Sequence, residues 1–384
     1  MQKKLLPLII MANLLLLSAC QPPSDKTDTS NTAASSQAEK NTTTQALVEA
    51  KTAKELTSSI IELSEGKLRD QLICTKLSDT MQAIDNKSRI EDIHAVQRQV
   101  KACLPSALNT EVLTWLNQYQ AMYNRFLGTD LYMDDEAFYD IVETLEQGKK
   151  ASVAQLKQLR PRVRYLVGLA ESKADVSILY VGEGIFVFHH DLQQMADIFT
   201  PYLPKDQQAF IERMAKDNQD IFWNDAAIAV PFDEVIARAQ FWQDYIQRYP
   251  ESHFIKDAKF LFTLYRHALF FGSNNTQWTN DEVTKFIEPK YQQAIEKLAK
   301  GSNSILVNSI LAKDARTLLD FMAMPNSKRN QAYPVPKVND EGYEISDWAV
   351  PRYQLNQALP IPSPWDNNKS RDCLSGIVCV DYDY

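Results

Sequence analysis

The sequence predicts a mainly α-helical fold that carries one β-hairpin. Apolar side chains recur every three or four residues through most of the chain, as in Val112–Phe126, and this is the period of an amphipathic helix. Only 10 of the 384 residues are glycine, whereas about 7% is usual. Folds that depend on glycine-rich loops are therefore disfavoured. We expect antiparallel helix pairs, arranged like an α-solenoid or an irregular bundle, with an extended C-terminal arm.

The first twenty residues have the layout of an export signal. Lys3 and Lys4 give a positive start, residues 5–17 form an almost unbroken apolar run, and Leu17-Ser18-Ala19-Cys20 closes the run with small residues. A membrane-spanning helix needs about 20 apolar residues, so this run is too short. The Leu-Ser-Ala-Cys ending resembles the lipobox of bacterial lipoproteins. That resemblance implies a signal peptide at 1–19 and lipidation, with acyl chains such as palmitate, at Cys20.

The residues after Cys20 bear on the location of the protein. In the lipoprotein sorting rule, Asp directly after the cysteine favours retention in the inner membrane, and Gln21 stands there in this chain. The resemblance therefore implies anchoring in the outer membrane, with the body in the periplasm. Residues 20–45 contain hardly any large apolar side chain, so we expect a lipidated flexible tether. An ordinary cleaved signal that happens to end before a cysteine is the alternative.

Charge limits the kinds of partner. Removal of residues 1–19 leaves 39 basic and 49 acidic side chains, a formal charge of −10. An acidic chain has no electrostatic reason to bind nucleic acid. The expected partners are the membrane, through the N-terminal lipid, and envelope proteins or the cell wall.

Four cysteines remain once Cys20 is assigned to lipid. An even number in an oxidising compartment predicts two disulfides. Of the three pairings we favour Cys74–Cys103 and Cys373–Cys379, because each is local. The first should stabilise more, by about 3–4 against about 2 kcal/mol, since it closes a longer loop and the second closes only a short surface turn. A metal site at Cys373 and Cys379 is disfavoured, because no histidine lies in the last hundred residues.

The stretch 46–324 is predicted to form the helical body. Its first part carries apolar stripes near 46–64, 67–84, 88–104, 135–147 and 152–171. A basic run also lies there, formed by Lys149, Lys150, Arg160, Arg162 and Arg164. A solvated helix face is one interpretation of this run. An anion-binding patch for cell-wall or lipid phosphate groups is the other.

One stretch breaks the helical pattern. Val176–Val181 and Ile185–His190 are rich in β-branched and aromatic residues and flank Gly182-Glu183-Gly184, which predicts a hairpin with a three-residue loop. A lone hairpin is not stable in water, so it must pack on helices. His189-His190-Asp191 groups metal-ligand types, but adjacent residues of a strand point to opposite faces. We therefore expect one packed and one solvated ring rather than a metal site.

Two further apolar stripes flank Tyr249-Pro250. Pro250 should end the first helix, and Ser252 is expected to cap the second. Trp242 and Tyr265 lie on these stripes and are expected to be core residues.

Signals further along the chain are weaker. Thr279-x-x-Glu282 predicts a capping box for a helix kinked at Pro289. Residues 325–384 are rich in proline and aromatic residues and have little periodicity. They are predicted to form an irregular arm that packs on the body.

The junction between the two stripes resembles a known family. Its pattern is Phe241-Trp242-x-x-Tyr245-Ile246-x-x-Tyr249-Pro250-x-Ser252-x-Phe254-x-x-x-Ala258. Over residues 233–271 this is similar to the helix–turn–helix junction of periplasmic tetratricopeptide-like lipoproteins, for example the helical-repeat lipoprotein of the β-barrel assembly machinery. The resemblance implies a pair of antiparallel amphipathic helices.

The sequence contains no HExxH, Gly-x-Ser-x-Gly or P-loop motif. We therefore assign no catalytic residue, cofactor or metal, and we expect a non-catalytic interaction or scaffolding protein of the cell envelope. The alternatives are an enzyme or enzyme inhibitor that acts on peptidoglycan, and a lipoprotein that binds a small ligand. A cleft with a carboxylate pair would favour the enzyme, a helical groove with exposed aromatics the scaffold, and an apolar pocket the ligand-binding protein.

We expect the chain to be lipidated at Cys20. The replacement Cys20→Ser removes the sulfur that receives the lipid, so an unlipidated precursor should accumulate, and globomycin should make the wild-type precursor accumulate. Labelled palmitate and N-terminal sequencing measure the outcome. A mature chain that begins at another residue and stays soluble without detergent would refute this prediction.

Overall fold

Helices form most of the described protein, and the predicted mainly helical fold with a β-hairpin is confirmed. The computed structural model describes residues 72–129, 136–182, 184–301, 308–338, 342–364 and 371–381. The predicted signal peptide, Cys20, the tether and the apolar stripe at 46–64 lie outside these ranges. Within the ranges, no helix is long and apolar enough to cross a membrane.

The helices before the hairpin follow the apolar stripes of the sequence. They are α1 (Leu77–Gln82), α2 (Ile90–Cys103), α3 (Asn109–Leu127), α4 (Glu136–Glu146), α5 (Val153–Gln158) and α6 (Pro161–Glu171). On α3 the stripe faces inward, because Val112, Tyr119 and Phe126 are buried. Ser152 caps α5 with its side chain, and Pro161 occupies the first turn of α6, where a missing N–H has little cost. The stretch at 152–171 is therefore two helices.

The hairpin consists of β1 (Val176–Gly182) and β2 (Ile185–His190), which pair antiparallel. The ladder continues to Gly182 opposite Ile185, so the loop is shorter than the three residues that we predict from sequence. Gly182 has a φ of 99°, and a Cβ atom on it would lie 2.5 Å from the side-chain oxygen of Asn224. Only glycine allows the hairpin tip to approach this neighbouring loop so closely.

The hairpin rests on helices, as a two-stranded sheet must. Phe138 of α4 contacts Phe186 and Phe188 of β2, with ring centroids 6.2 and 5.9 Å apart. His190 of β2 stacks on Tyr123 of α3 at a centroid distance of 4.1 Å. Aromatic packing against α3 and α4 therefore fixes one face of the hairpin.

The second half of the body is a succession of helix pairs. Its elements are α7 (Leu192–Phe199), α8 (Lys205–Asn218), β3 (Trp223–Asn224), β4 (Ala227–Ile228), α9 (Phe232–Arg248), α10 (Ile255–Phe271), α11 (Pro289–Lys300) and α12 (Ile310–Ala323). Helix α7 packs against α8, α9 against α10, and α11 against α12. Strands β3 and β4 form a second short hairpin, which the sequence analysis does not predict.

The pair α9 and α10 is held by buried aromatic rings. Trp242 and Tyr265 are completely buried, which confirms them as core residues. They contact different neighbours: Trp242 lies 5.2 Å from Phe210, and Tyr265 lies 4.9 Å from Phe222, measured between ring centroids. Helix α9 ends at Arg248, as the proline at position 250 predicts.

Ser252 is not the cap of α10, so that prediction is wrong. Helix α10 begins at Ile255. Its N-cap residue is Phe254, whose side chain forms no capping hydrogen bond. The Ser252 hydroxyl instead donates to the Asp206 carboxylate at 2.6 Å and bonds the Tyr245 hydroxyl at 2.8 Å. A carboxylate from α8 competes for the hydroxyl that a helix start would otherwise use. The turn is thereby tied to the neighbouring helix pair.

The predicted helix around Thr279-x-x-Glu282 is also wrong. The side-chain carbonyl of Asn280 accepts hydrogen bonds from the backbone N–H groups of Thr284 and Lys285, at 2.9 and 3.0 Å. These bonds fold the segment into a turn, because an asparagine side chain can replace the backbone acceptors of a helix. Pro289 does not kink a helix; it is the first residue of α11.

The C-terminal arm is more regular than predicted. It contains α13 (Asn326–Ala332), α14 (Val350–Ala358) and the paired strands β5 (Arg371–Asp372) and β6 (Val380–Asp381). Arg329 of α13 is 1% exposed. Its guanidinium donates to the backbone carbonyls of Phe321, Met322, Glu282 and Val283. One buried arginine thus ties the arm to α12 and to the turn before α11.

Both predicted disulfides are present in the structure. The Cα atoms of Cys74 and Cys103 lie 5.6 Å apart, and those of Cys373 and Cys379 lie 4.2 Å apart. Bridged cysteines need a separation below about 7 Å. The first bridge joins the helical residues 72–75 to the end of α2.

The second disulfide does not close a surface turn, which corrects our expectation. Both cysteines and residues 376–378 between them are buried, and Ser375 is the exposed residue of the loop. The Gln120 side chain of α3 accepts from the N–H groups of Ile377 (2.7 Å) and Val378 (3.1 Å), and it donates to the Val378 carbonyl (3.0 Å). Asn218 of α8 donates to the carbonyl of Cys373 at 3.0 Å. Side-chain amides satisfy the loop's backbone, so the loop can be buried.

We expect Gln120→Leu to destabilise the protein strongly. The variant leaves two buried N–H groups and one buried carbonyl without their partner, at about 1–3 kcal/mol each, so unfolding should become easier by about 3 kcal/mol or more. Urea denaturation measures the difference. Thr114→Ala, at an exposed position of the same helix, is the control and should change stability by less than about 0.5 kcal/mol. Equal unfolding midpoints for Gln120→Leu and the wild type would contradict this account.

Candidate functional site

A cleft of about 900 Å³ lies beside the hairpin. Its apolar lining comes from three elements: Val142 and Leu145 of α4, Val176 and Ile178 of β1, and Phe186 of β2. Ligand sites in proteins have volumes of about 300–1,000 Å³ and are lined mainly by apolar side chains. The cleft is therefore our candidate functional site.

Most of the hairpin residues that line the cleft belong to β1 rather than to β2. Four of the five residues at 176–180 line it, including Ser177 and Tyr180, whereas β2 contributes Phe186. The sheet has two strands, so each strand has one edge without a paired strand. Within the described ranges, no backbone N–H or carbonyl of residues 176–180 bonds a group outside β2. The cleft is thus bordered by backbone donors and acceptors that are available for a partner.

Charged side chains surround the cleft. Lys149 and Lys150 lie on the loop after α4, Lys173 lies on the turn between α6 and β1, and Glu146 lies at the end of α4. Lys149 donates a hydrogen bond to Gln147 at 2.7 Å. Among the residues that the structure describes, none of the three lysines forms an ion pair. Their positive charges are therefore available to an anionic group in the cleft.

Three of the four carboxylates at the cleft have structural roles. Glu171 accepts a hydrogen bond from the backbone N–H of Ala151 at 2.7 Å. Asp191 accepts from the backbone N–H of Gln194 and caps α7, and Asp175 accepts from the side-chain amide of Gln194 at 2.7 Å. Glycosidase-type catalysis needs two carboxylates that face the substrate across the site. Three of the carboxylates here are bonded to backbone N–H groups or to Gln194. They therefore suit a rigid binding cleft better than proton transfer to a substrate.

A chain of hydrogen bonds runs from the cleft into the core. Asp175 is bonded by Gln194, whose side-chain oxygen accepts from Gln97 of α2 at 3.3 Å. Gln97 also donates to the hydroxyl of Tyr123 at 3.2 Å, and Tyr123 is the ring on which His190 stacks. The position of the cleft relative to α2, α3 and α7 is fixed by these bonds.

The two adjacent histidines are both held by the fold. Burial, and to a smaller extent the neighbouring His189, lowers the pKa of His190 to about 3. Burial also lowers the pKa of His189, and the Nε2 atoms of both rings are buried without a hydrogen-bond partner among the described residues. The expected packed ring is found at His190. His189 is half-buried and its Nε2 atom is buried, so the ring expected to be solvated is only partly exposed.

Metal-ligand types meet at another place in the structure. Within the described ranges, the groups close enough to share an ion are Asp257, Cys373 and Cys379. Both sulfurs are consumed by the disulfide, so the group offers one carboxylate and no ligand set.

The residues of the basic run have two different roles in the structure. Arg162 donates to the backbone carbonyls of Ser88 and Phe126, and Arg164 donates to that of Leu159. These two guanidiniums hold neighbouring segments together and do not form an anion-binding patch. Lys149 and Lys150, by contrast, reach the cleft, which the sequence analysis does not predict.

No family model, no curated protein and no solved structure matches this chain.

The neutral state of His190 makes stability depend on pH. In the unfolded chain a histidine takes up a proton below about pH 6.5, whereas in the folded protein His190 does so only near pH 3. The unfolded state therefore binds more protons between these values, and stability is lost as the pH falls. From pH 7 to pH 5 we expect a loss of about 2 kcal/mol from this residue.

Urea denaturation at pH 7, 6 and 5 measures this loss. His190→Phe keeps an aromatic ring against Tyr123 and should flatten the pH dependence. The control is His94→Gln, at an exposed position, which should keep the pH dependence of the wild type. If His190→Phe loses as much stability on acidification as the wild type, the burial of a neutral His190 is not the cause.

Proposed function

We propose that the protein is a lipid-anchored protein of the cell envelope that binds a partner without catalysis, through the cleft beside β1. One observation carries the proposal: the cleft combines an apolar lining, unpaired strand edge and lysines without ion pairs. These are binding groups of three different kinds, and they meet at one place. The partner is another envelope protein or a component of the cell wall.

The location rests on the N-terminal pattern. The lipobox resemblance at Leu17-Ser18-Ala19-Cys20 favours attachment to a membrane, and Gln21 favours the outer membrane. The two disulfides support an oxidising compartment such as the periplasm.

The hairpin cleft is a better candidate than the helical surface. A groove of about 970 Å³ lies between α9 and α11, in the region that resembles tetratricopeptide-like junctions. Its lining mixes apolar side chains such as Ile236 with polar ones such as Gln240. It contains no aromatic side chain among the described residues, whereas the hairpin cleft is lined by Tyr180 and Phe186. Helix scaffolds bind partner segments mainly through apolar and aromatic contacts. We therefore place the interaction at the hairpin.

The alternatives differ in support. An enzyme that acts on peptidoglycan would need a pair of carboxylates free for proton transfer, whereas three of the four at the cleft have structural partners. A small-ligand-binding lipoprotein is the second candidate, because the cleft volume lies within the range of ligand sites.

Photocrosslinking in intact cells tests the proposal. A benzophenone amino acid replaces Lys150 at the cleft, and in a matched strain it replaces Lys259, an exposed residue of α10 that does not line the cleft. Irradiation should shift the cleft variant to a discrete larger species and leave the control unshifted. Equal crosslinking at both positions, or none at Lys150, would contradict the proposal. An adduct of small mass, specific to Lys150, would favour the small-ligand candidate.

A further inference from the structure

We infer that the cleft takes an extended peptide segment, which adds to the free edge of β1 as a third strand. The inference rests on the proposed function and names the chemistry of its partner: an extended peptide with apolar side chains at alternate positions and an acidic group at one end.

The backbone of β1 is the first reason. In an antiparallel pair each strand directs about half of its N–H and carbonyl groups to its partner and the rest outward. The outward groups of residues 176–180 have no partner among the described residues, and four of these five residues line the cleft. Main-chain hydrogen bonds to an added strand supply affinity that is independent of the partner's sequence. Five strand residues span about 17 Å, which sets the length of the segment.

The end of the free edge is defined by the structure. A register irregularity lies between Tyr180 and Gly182, and the side chain of Asn224 approaches Gly182 closely. The loop at 224–225 lies against Gly182, so we place the end of the added strand before this residue. Bulges and covered ends are common ways to limit pairing at a sheet edge. Only the first part of β1 is left available.

The apolar stripe of α4 is the second reason. Phe138, Val142 and Leu145 follow one another at spacings of four and three, so they share one face of the helix. The hairpin covers Phe138 with the rings of Phe186 and Phe188, whereas Val142 and Leu145 line the cleft. Val142 is buried, but Leu145 at the end of the stripe is only partly buried, so the two strands leave this end of the stripe uncovered. A third strand would place alternate side chains on the uncovered part.

Charge is the third reason. Lys149, Lys150 and Lys173 are exposed, line the cleft and have no ion pair within the described ranges. Because opposite charges attract an extended segment and fix its register, an acidic residue at one end of the peptide complements them. The lysines therefore select among the apolar peptides that the strand edge accepts.

A peptide selection tests the inference. Phage that display linear seven-residue peptides are selected on the full chain in detergent micelles, and the most enriched peptide is synthesised. We expect alternate apolar residues and at least one acidic residue. Two N-methylated forms of this peptide are also synthesised. One carries backbone N-methyl groups at the odd-numbered residues, and the other carries them at the even-numbered residues, so each form blocks one strand register. Methylation of the register that faces β1 should weaken binding at least about tenfold, and the other should leave it unchanged.

Variants locate the peptide. Leu145→Lys introduces a charge on the apolar lining and should weaken binding at least about tenfold, whereas Lys259→Glu, away from the cleft, should not change it. Thermal melts show whether both variants fold. In the wild type with saturating peptide, amide hydrogen exchange should slow at residues 176–180 and stay the same at 227–228.

The outcomes separate the two proposals. If both methylated peptides bind as well as the parent, or if β1 amides are not protected, strand addition is refuted. Failure to enrich any peptide whose binding depends on Leu145 refutes it as well. If Lys150 still crosslinks specifically in cells, the proposed function survives with a different occupant. If that crosslink is also absent, the proposed function fails with it.

Discussion

The satisfaction of buried backbone polar groups is the constraint on which the rest of this structure depends. The clearest case is the bond set between Gln120 and the loop at 373–379, which joins a helix of the first half to the end of the chain. Gly376 belongs to the same arrangement, because a Cβ atom there would lie 2.3 Å from the Gln120 side chain. A single carboxamide and a missing methyl group let the buried residues of an irregular loop pack into the core. The disulfide closes the loop, but the amides allow its burial.

Similar side-chain bonds join the remaining irregular segments to the helices. Arg329 donates to four backbone carbonyls, and Ser252 and Asp206 join the turn between α9 and α10 to α8. At such places a polar side chain from another part of the chain forms hydrogen bonds with backbone groups that have no partner within a helix. The free edge of β1 differs from these places, since no such side chain reaches it within the described ranges. This contrast directs attention to the cleft.

Local patterns predicted the elements but not their long-range bonds. The stripe on α3, the pair around Pro250 and the hairpin at 176–190 follow from periodicity, proline and glycine, because these signals act within one or two turns. Ser252 and the segment near Thr279 were predicted wrongly, since their side chains bond distant or competing groups. The cleft was not predicted at all. The cleft forms only where α4, α6 and α7 come together with β1 in the folded chain. A local sequence pattern does not predict such long-range contacts. Both disulfide pairings were predictable from short sequence separation.

A free strand edge needs a physical account. Unpaired edges invite association with other chains, so proteins shorten, charge or cover them. Here the loop at 224–225 lies against the end near Gly182, lysines stand beside the remainder, and the open part is about five residues long. The hydrogen-bond chain through Gln194, Gln97 and Tyr123 also holds the cleft in place before a partner arrives. A rigid edge loses little conformational entropy when a strand adds to it, so more of the pairing energy becomes affinity. An edge that is restricted in length and fixed in position suits selective strand addition and discourages unlimited association.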